Sequence, residues 1–563
     1  MQGYIDWVLR YRFLVLIATL AVSAYLLPHI NNLQIAIDPQ TMLPQSHPNV
    51  IATNRVADVF GSRHIVIVGV TPRAGDIFQR HVLEKVDRIT SALLNAPGVI
   101  KENILSLSAN KAKDIRGKDD VLEVNRLMEG VPATRADFDR LRAALDRNPV
   151  YAGTVVSADR RTTTIIVDFE DNERGFQEMA RIVNAVVQPE RDATVDIRIG
   201  GFPILLSQIE VYSQRALYLL MITAFIIALI HLEAFRTVQG LVLPLLTAFL
   251  ATAWDLGIMG LAGIPFDVVT VTIPIVTVAV GAGHAVQILK RYYEEYHRLR
   301  DTTTLTPAAA NTLAISNAIR AVGPVMLIAG TIASLGFFSL MVFGISTVRT
   351  LGLFTGVGIL CALILEMTLI PTLRSLLPPP SEGERHSERG ARIWDRITDT
   401  IANWVTGKRR SVLYGLVFVF FTAAVVATSG IQVDNSVKSF FSQDFPFQHE
   451  DRFLNRNLGG TNTLYLLIEG PRDDIIKEPV VLRQIEDLQR YLETLEGVGK
   501  TISIVDFLKR MNQAINNEDD AYFRIPENRE LVSQYLLLYS MASDPTDFDV
   551  YVDYNYRTVN VTA

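Results

Sequence analysis

Seven stretches of the chain stay apolar for roughly 20 residues, the length an α-helix needs to cross about 30 Å of hydrocarbon. They fall near 13–30, 216–234, 238–260, 267–289, 322–342, 348–371 and 411–430. Between them lie long polar stretches whose hydrophobic positions alternate or recur at helical spacing. Residues 63–70, 99–107, 151–157, 162–169 and 195–200 read as strands; 79–95, 134–146 (capped by Thr134) and 174–187 read as amphipathic helices. Strand-helix-strand order at this length suggests two split β-α-β units in each polar domain. The expected fold class is an α-helical membrane bundle plus α/β domains outside it.

Charge orients the spans. Arg10 and Arg12, Arg236, the Lys290–Arg300 run with Arg320, and Arg374 with Lys408, Arg409 and Arg410 all fall on one side. The short connections Leu261–Phe266 and Phe343–Thr347 on the other side contain no Lys or Arg. By the positive-inside rule the basic side is cytoplasmic, which places the N-terminus inside and the large polar domains outside. That pattern fits a multi-pass membrane protein with its large domains on the non-cytoplasmic side. Val22-Ser23-Ala24 offers a cleavage-site alternative for the first span, but its apolar run continues to Ile30, which favours an uncleaved anchor.

Order along the chain also repeats. LQIAIDPQTMLPQSHP (Leu33–Pro48) and FGSRHIVIVGV (Phe60–Val70) follow the first span; GIQVDNSVKSFFSQDFP (Gly430–Pro446) and LGGTNTLYLLIEG (Leu458–Gly470) follow the seventh. The correspondence continues from Pro97-Gly98-Val99 to Glu496-Gly497-Val498, and from Arg161-Thr162 to Arg557-Thr558. The expected architecture is therefore a duplication whose second copy is incomplete, and a spacing of about 400 residues predicts roughly 780 for two whole copies. The domains expected are a cytoplasmic N-terminus with the first span (1–30), a first periplasmic α/β domain (31–213) and spans two to six (214–378). A cytoplasmic linker (379–410) follows, with Ile393, Trp394, Ile397, Ile401, Trp404 and Val405 on one side of an interfacial helix. The seventh span (411–430) and a truncated second periplasmic domain (431–563) complete the chain.

Composition narrows the chemistry. Hydrophobic residues at 49% with 20% charged are too charged for a bare bundle, and a net charge of -6 without a basic stripe argues against nucleic acid. A lone Cys361 within a span offers neither disulfides nor a thiolate metal site. No HExxH, GxSxG or CxxC occurs, and Gly497-Val-Gly-Lys500-Thr501 reads as a turn because position 494 is Thr. The expectation is no metal, no cofactor and no enzyme activity.

Titratable groups inside spans are costly and mark ion or proton paths. His284, in GAGHAVQILKRYYEEY (Gly281–Tyr296), is the leading candidate; its unperturbed pKa near 6.5 is within reach of an acidified outer face. A neutral packing histidine is the alternative. Glu366 lies at similar depth on a span of the same direction and could pair with it if the two helices touch, whereas Asp255 lies toward the outer end of its span, as a second acid or one snorkelling beside Trp254. Gln287 sits one turn below His284 and Thr277 two turns above it; Gly281 and Gly283 allow close helix approach. Pro274 and Pro324 are expected to bend their helices. The basic 290–300 run reads as a topology signal and solvated helix end.

The order of elements resembles the resistance-nodulation-division (RND) superfamily. GAGHAVQILKRYYEEY is similar to its fourth-span signature and VRTLGLFTGVGIL (Val348–Leu360) to the start of its sixth span. The likeness is nearest to hydrophobe exporters and mycobacterial-membrane-large (MMPL) lipid exporters. It implies proton-driven export of hydrophobic or amphiphilic molecules or lipids across the inner membrane, and leaves room for a homo-oligomer and a periplasmic accessory protein. Lipid-exporting members carry an Asp-Tyr pair where this chain has Gly283 and His284, so the relay would differ here. A Sec-associated protein-export motor and a non-transporting sterol-sensing-type receptor or scaffold are the alternatives.

Overall fold

The computed structural model describes residues 1–35, 43–61, 64–118, 121–170, 175–381, 393–407, 410–431 and 436–563. Asp38, Pro39 and Asp434 of the repeated motifs, the charged linker stretch 382–392, the side chains of Ile393 and Trp394, and Lys408 and Arg409 lie outside them. The chain forms two compact units, one of Met1–Pro44 with Tyr212–Asp434 and one of Gln45–Val211 with Asn435–Ala563.

Helix dominates the first unit. Among the described residues seven helices are long and apolar enough to cross a membrane: Arg12–Asn32, Phe202–Phe235, Val238–Leu261, Thr270–Thr302, Pro307–Val342, Ser346–Leu376 and Ser411–Thr428. Five of the expected stretches lie wholly on them, while 267–289 starts three residues before its helix and 411–430 ends two residues after its helix. Thr237 and Thr306 cap the third and fifth, each accepting from a backbone N–H in the first turn. The sixth is the most enclosed, 72% buried along its apolar window against 0% for the seventh. Its small and branched residues (Cys361, Ala362, Leu365, Leu369) pack with Leu26, Ala251 and Trp254. Large residues such as Phe225, Ile328 and Phe420 point outward, as on helices that meet lipid. Pro324 does lie inside its helix, but Pro274 occupies the first turn of the fourth, where its missing N–H leaves no bond unmade. The expected bend at Pro274 is therefore not required.

Among the described residues the second unit holds seven strands: β1 (His64–Pro72), β2 (Lys113–Lys118), β3 (Val121–Arg126), β4 (Thr163–Phe169), β5 (Val195–Gly200), β6 (Tyr465–Glu469) and β7 (Thr558–Thr562). β1 lies between β4 and β5 and is antiparallel to both, with Val68 opposite Ile165 and Ile199. β4, helix Phe176–Val187 and β5 thus make a split β-α-β unit around β1. β6 pairs with β7, and residues from both segments share one core, including Ile115, Leu122, Leu482, Leu508, Val532 and Val559. Thr134 caps helix Arg135–Arg147 through a box completed by Asp137.

Two expected strands do not form. In 99–107, Val99 and Leu105 touch β4, but polar Lys101–Asn103 turns out as a 3-10 helix and Asn103 donates to Asp168 at 2.9 Å. In 151–157 the chain doubles back at Gly153, whose amide donates to Val156 at 2.7 Å, so two bridges replace a strand. The hairpin β2–β3 was hidden by its charge. Only Ile115, Leu122 and Val124 of it join the core, and a Cβ at Gly117 would lie 1.7 Å from the Ala514 carbonyl oxygen.

Candidate functional site

Small residues bring the third, fourth and sixth membrane helices together. A Cβ built at Gly281 would meet the Ala362 Cβ at 3.3 Å and the Ala248 Cα at 3.4 Å, ordinary to tight packing. One turn further along both the fourth and the sixth helix the contact becomes polar. His284 Nδ1 lies 3.6 Å from Glu366 Oε2; the Glu366 side chain is 0% exposed and that of His284 15%. This exceeds hydrogen-bond reach, and His284 Nδ1 and both Glu366 carboxyl oxygens have no hydrogen-bond partner among the described residues. Orphaned buried oxygens cost about 1–3 kcal/mol each, so packing alone does not favour a glutamate here.

A second buried acid sits elsewhere in the same interior. Asp255 is fully buried, so it does not snorkel beside Trp254, whose Nε1 donates instead to Ser23 at 2.9 Å. Around Gly358 of the sixth helix, a Cβ would lie 2.6 Å from Thr277 Oγ1 and 2.8 Å from Asp255 Oδ2. Thr277 thus accompanies Asp255 rather than His284. Both Asp255 oxygens, Thr277 Oγ1 and Thr355 Oγ1 lack a hydrogen-bond partner among the described residues. From Gly358 to Glu366 is about 12 Å along a helix axis. Gln287 is exposed, and Gly283 is exposed with nothing within 4 Å of a Cβ, so Gly281 alone of the two glycines packs against a neighbour here.

The expected solvated helix end at 290–300 holds for one face only, where Arg291 and Arg298 keep 41% and 58% of their side chains exposed. Tyr292, Tyr293, Tyr296 and Glu295 are buried, because tyrosines spaced i, i+1 and i+4 share the face that packs on Ile5, Val8, Ala310 and Ala314. That tyrosine spacing was the available signal. It leads to a residue the sequence reading used only for topology: Arg374, 1% exposed, donates to Gln239 Oε1, to Tyr292 Oη at 2.7 Å and to the Pro378 carbonyl at 3.1 Å. Tyr292 in turn donates to Asn311 Oδ1 at 2.7 Å, and the guanidinium lies 4.7 Å from the Tyr292 ring centroid. The network ties four helices together. No group of three or more His, Cys, Asp or Glu among the described residues is placed to hold a metal ion.

Seven membrane-capable helices with ionisable side chains turned into their interior define a multi-pass membrane protein. Residues 79–406 match the MMPL family, and the chain belongs to that family. It is similar to a protein of Methanocaldococcus jannaschii named as a membrane protein, 20% identical over 368 residues that cover 64% of this chain and 89% of the relative. It is also similar to the hopanoid transporter HpnN of Burkholderia multivorans, 27% identical over 292 residues. That match covers 51% of this chain and 29% of the transporter's length.

Proposed function

We propose that the protein is a proton-driven exporter of hydrophobic or amphiphilic molecules, lipids among them, working in a bacterial inner membrane with its α/β domains on the periplasmic side. The observation that carries this reading is the burial of Glu366 against His284 inside a membrane bundle of an MMPL-family chain. Membership of the MMPL family and similarity to a hopanoid transporter support the substrate class and a transporter rather than an enzyme.

The chemistry follows from the pair. A carboxyl or imidazole that gains or loses a proton changes its charge, and with it the cost of remaining in a low-dielectric interior. Glu366 and His284 reside on different helices, so each protonation change alters how strongly the fourth and sixth helices hold together. Helix movements driven this way would be passed to the α/β domains, through which substrate leaves. Asp255 with Thr277 is read as a second proton-accepting station on the same route. Helix Ile393–Thr406, with Ile397, Ile401, Trp404 and Val405 exposed, is read as lying in the cytoplasmic membrane interface. The two polar segments are read as copies of one unit, since helix Pro48–Phe60, β1 and helix Arg80–Leu94 are followed in the same order by helix Pro446–Asn457, β6 and helix Pro479–Leu492.

The test is efflux of a fluorescent hydrophobe from cells with an imposed proton gradient. Glu366→Gln and His284→Ala at wild-type protein levels should each lose gradient-dependent efflux. Retained gradient-dependent efflux in both variants would sink the assignment of proton coupling to this pair, and no efflux by the wild type would favour a non-transporting scaffold.

A further inference from the structure

The second unit contains a cleft of about 160 Å³ whose walls come from β1, β4, β6, β7 and the loops beside them. Ile65, Leu105, Ile166, Ile502 and Val550 give it an aliphatic wall, and threonines and asparagines line much of the rest. Two lysines, Lys111 and Lys500, join it. Burying an ammonium group beside isoleucines is costly without a compensating charge. Lys111 has only one hydrogen bond, to Asn103 Oδ1 at 3.4 Å, and among the described residues no carboxylate lies within ion-pair distance of it. Two of the acids nearby, Asp168 and Asp547, are already engaged, and Asp549 and Glu102 act on Lys111 only from beyond ion-pair distance. Asp168, also on the wall, accepts from Asn103 Nδ2 at 2.9 Å and from the His64 amide at 3.3 Å. Asp547 pairs with Lys113 at 3.5 Å and accepts from Tyr539 and Ser543.

We infer that this cleft binds an amphiphile with an anionic head group, a carboxylate or a phosphate, which Lys111 and Lys500 hold while the tail lies along the isoleucine wall. The inference rests on the hydrophobe-export reading and narrows its substrate class. The ammonium of Lys111 has two donors to spare, and an anion supplies both the missing acceptor and the missing charge. A neutral hydrophobe fills the same wall but leaves the ammonium as costly as before. Specificity for the acid over its alcohol therefore falls to the lysines.

Binding is tested on the full chain in its own membrane, without a proton gradient, by photolabelling with a diazirine-bearing hexadecanoic acid and with the matching hexadecanol. Labelled peptides are mapped by mass spectrometry. The acid should label peptides containing Ile65 or Ile502 at least tenfold more than the alcohol does. Lys111→Met should remove at least nine-tenths of that labelling, and Lys111→Arg should retain most of it. Equal labelling of the cleft by acid and alcohol in the wild type overturns the anion assignment while leaving hydrophobe binding intact. Absence of cleft labelling by either probe overturns the inference and also removes the cleft from the export reading. Because no transport is required, a failed efflux assay in Glu366→Gln leaves this result readable on its own.

Discussion

Lys111→Met should make the unit that contains the cleft more stable, and the gain should shrink at high pH. Burial pushes the Lys111 ammonium down from 10.5 to about 8, against the opposing pull of Asp547, Asp549, Asp168 and Glu102. At about 1.4 kcal/mol per tenfold change in proton affinity, the fall corresponds to about 3 kcal/mol. The folded state binds the proton less tightly than the unfolded state. Below pH 8 both states are protonated and the full cost is present. Between pH 8 and 10.5 the folded state alone releases its proton, so stability rises with pH and the cost fades. Methionine fills a similar volume and carries no charge, and replacing a buried ion by an apolar side chain of like size is commonly neutral or stabilising. The variant should therefore exceed wild type by up to about 3 kcal/mol at pH 7, and the difference should close by about 2 kcal/mol at pH 9.5. Urea titration read by pulse proteolysis of the full chain, with antibodies to the 45–211 segment, measures both. A variant less stable than wild type at pH 7, or a difference that does not change with pH, would refute the account of Lys111 as an uncompensated buried charge.

Glu366→Leu should raise the melting temperature in detergent, since it removes two orphaned buried oxygens worth about 1–3 kcal/mol each, while abolishing gradient-dependent efflux; a lower melting temperature contradicts the assignment. Gly358→Ala should cost about 1–3 kcal/mol because its Cβ intrudes between Thr277 and Asp255. Gly283→Ala, which meets nothing within 4 Å, should be neutral or up to about 1 kcal/mol stabilising. A thermal-shift comparison of those two variants distinguishes a packed glycine from an open one, and equal shifts would contradict the packing described. Arg374→Lys should lose about 1–3 kcal/mol and do little better than Arg374→Met, because an ammonium cannot reach Gln239, Tyr292 and Pro378 together from a planar fork's position. Full stability in the lysine variant would show that charge, not the fork, matters there.

The membrane helices were legible because about 20 consecutive apolar residues leave few other readings. The strands were legible where alternation was strong, as in β1 and β4, and lost where polar residues carry the backbone off the ladder, as at Lys101–Asn103. The hairpin β2–β3 could not be read from a local pattern, since its few core residues are buried by helices more than 350 positions away in the chain, such as Ile504–Ile515. At the candidate site, depth along two helices was enough to set His284 opposite Glu366, because rise per residue is nearly constant. Rotation about the helix axis was less accessible. It decides that Gln287 faces outward, that Thr277 goes with Asp255, and that the Arg374 side chain turns inward.

The two buried acids bear on one another through the helix they share rather than through hydrogen bonds. Glu366 belongs to the sixth helix, and Asp255 abuts it at Gly358, about 12 Å along the axis. Between those heights Ala248, Gly281 and Ala362 are packed at 3.3–3.4 Å once a Cβ is added at the glycine. A chain of hydrogen bonds needs a polar atom roughly every 3 Å, and in that layer the buried Thr252 hydroxyl of the third helix donates back to the Ala248 carbonyl at 2.9 Å. Under the proposed reading, a proton passing from Asp255 to Glu366 therefore requires the third, fourth and sixth helices to part at Gly281. The same parting would alter the His284–Glu366 contact one turn away. Small residues suit that task, because helices touching over backbone and methyl groups separate with little side-chain surface to disengage.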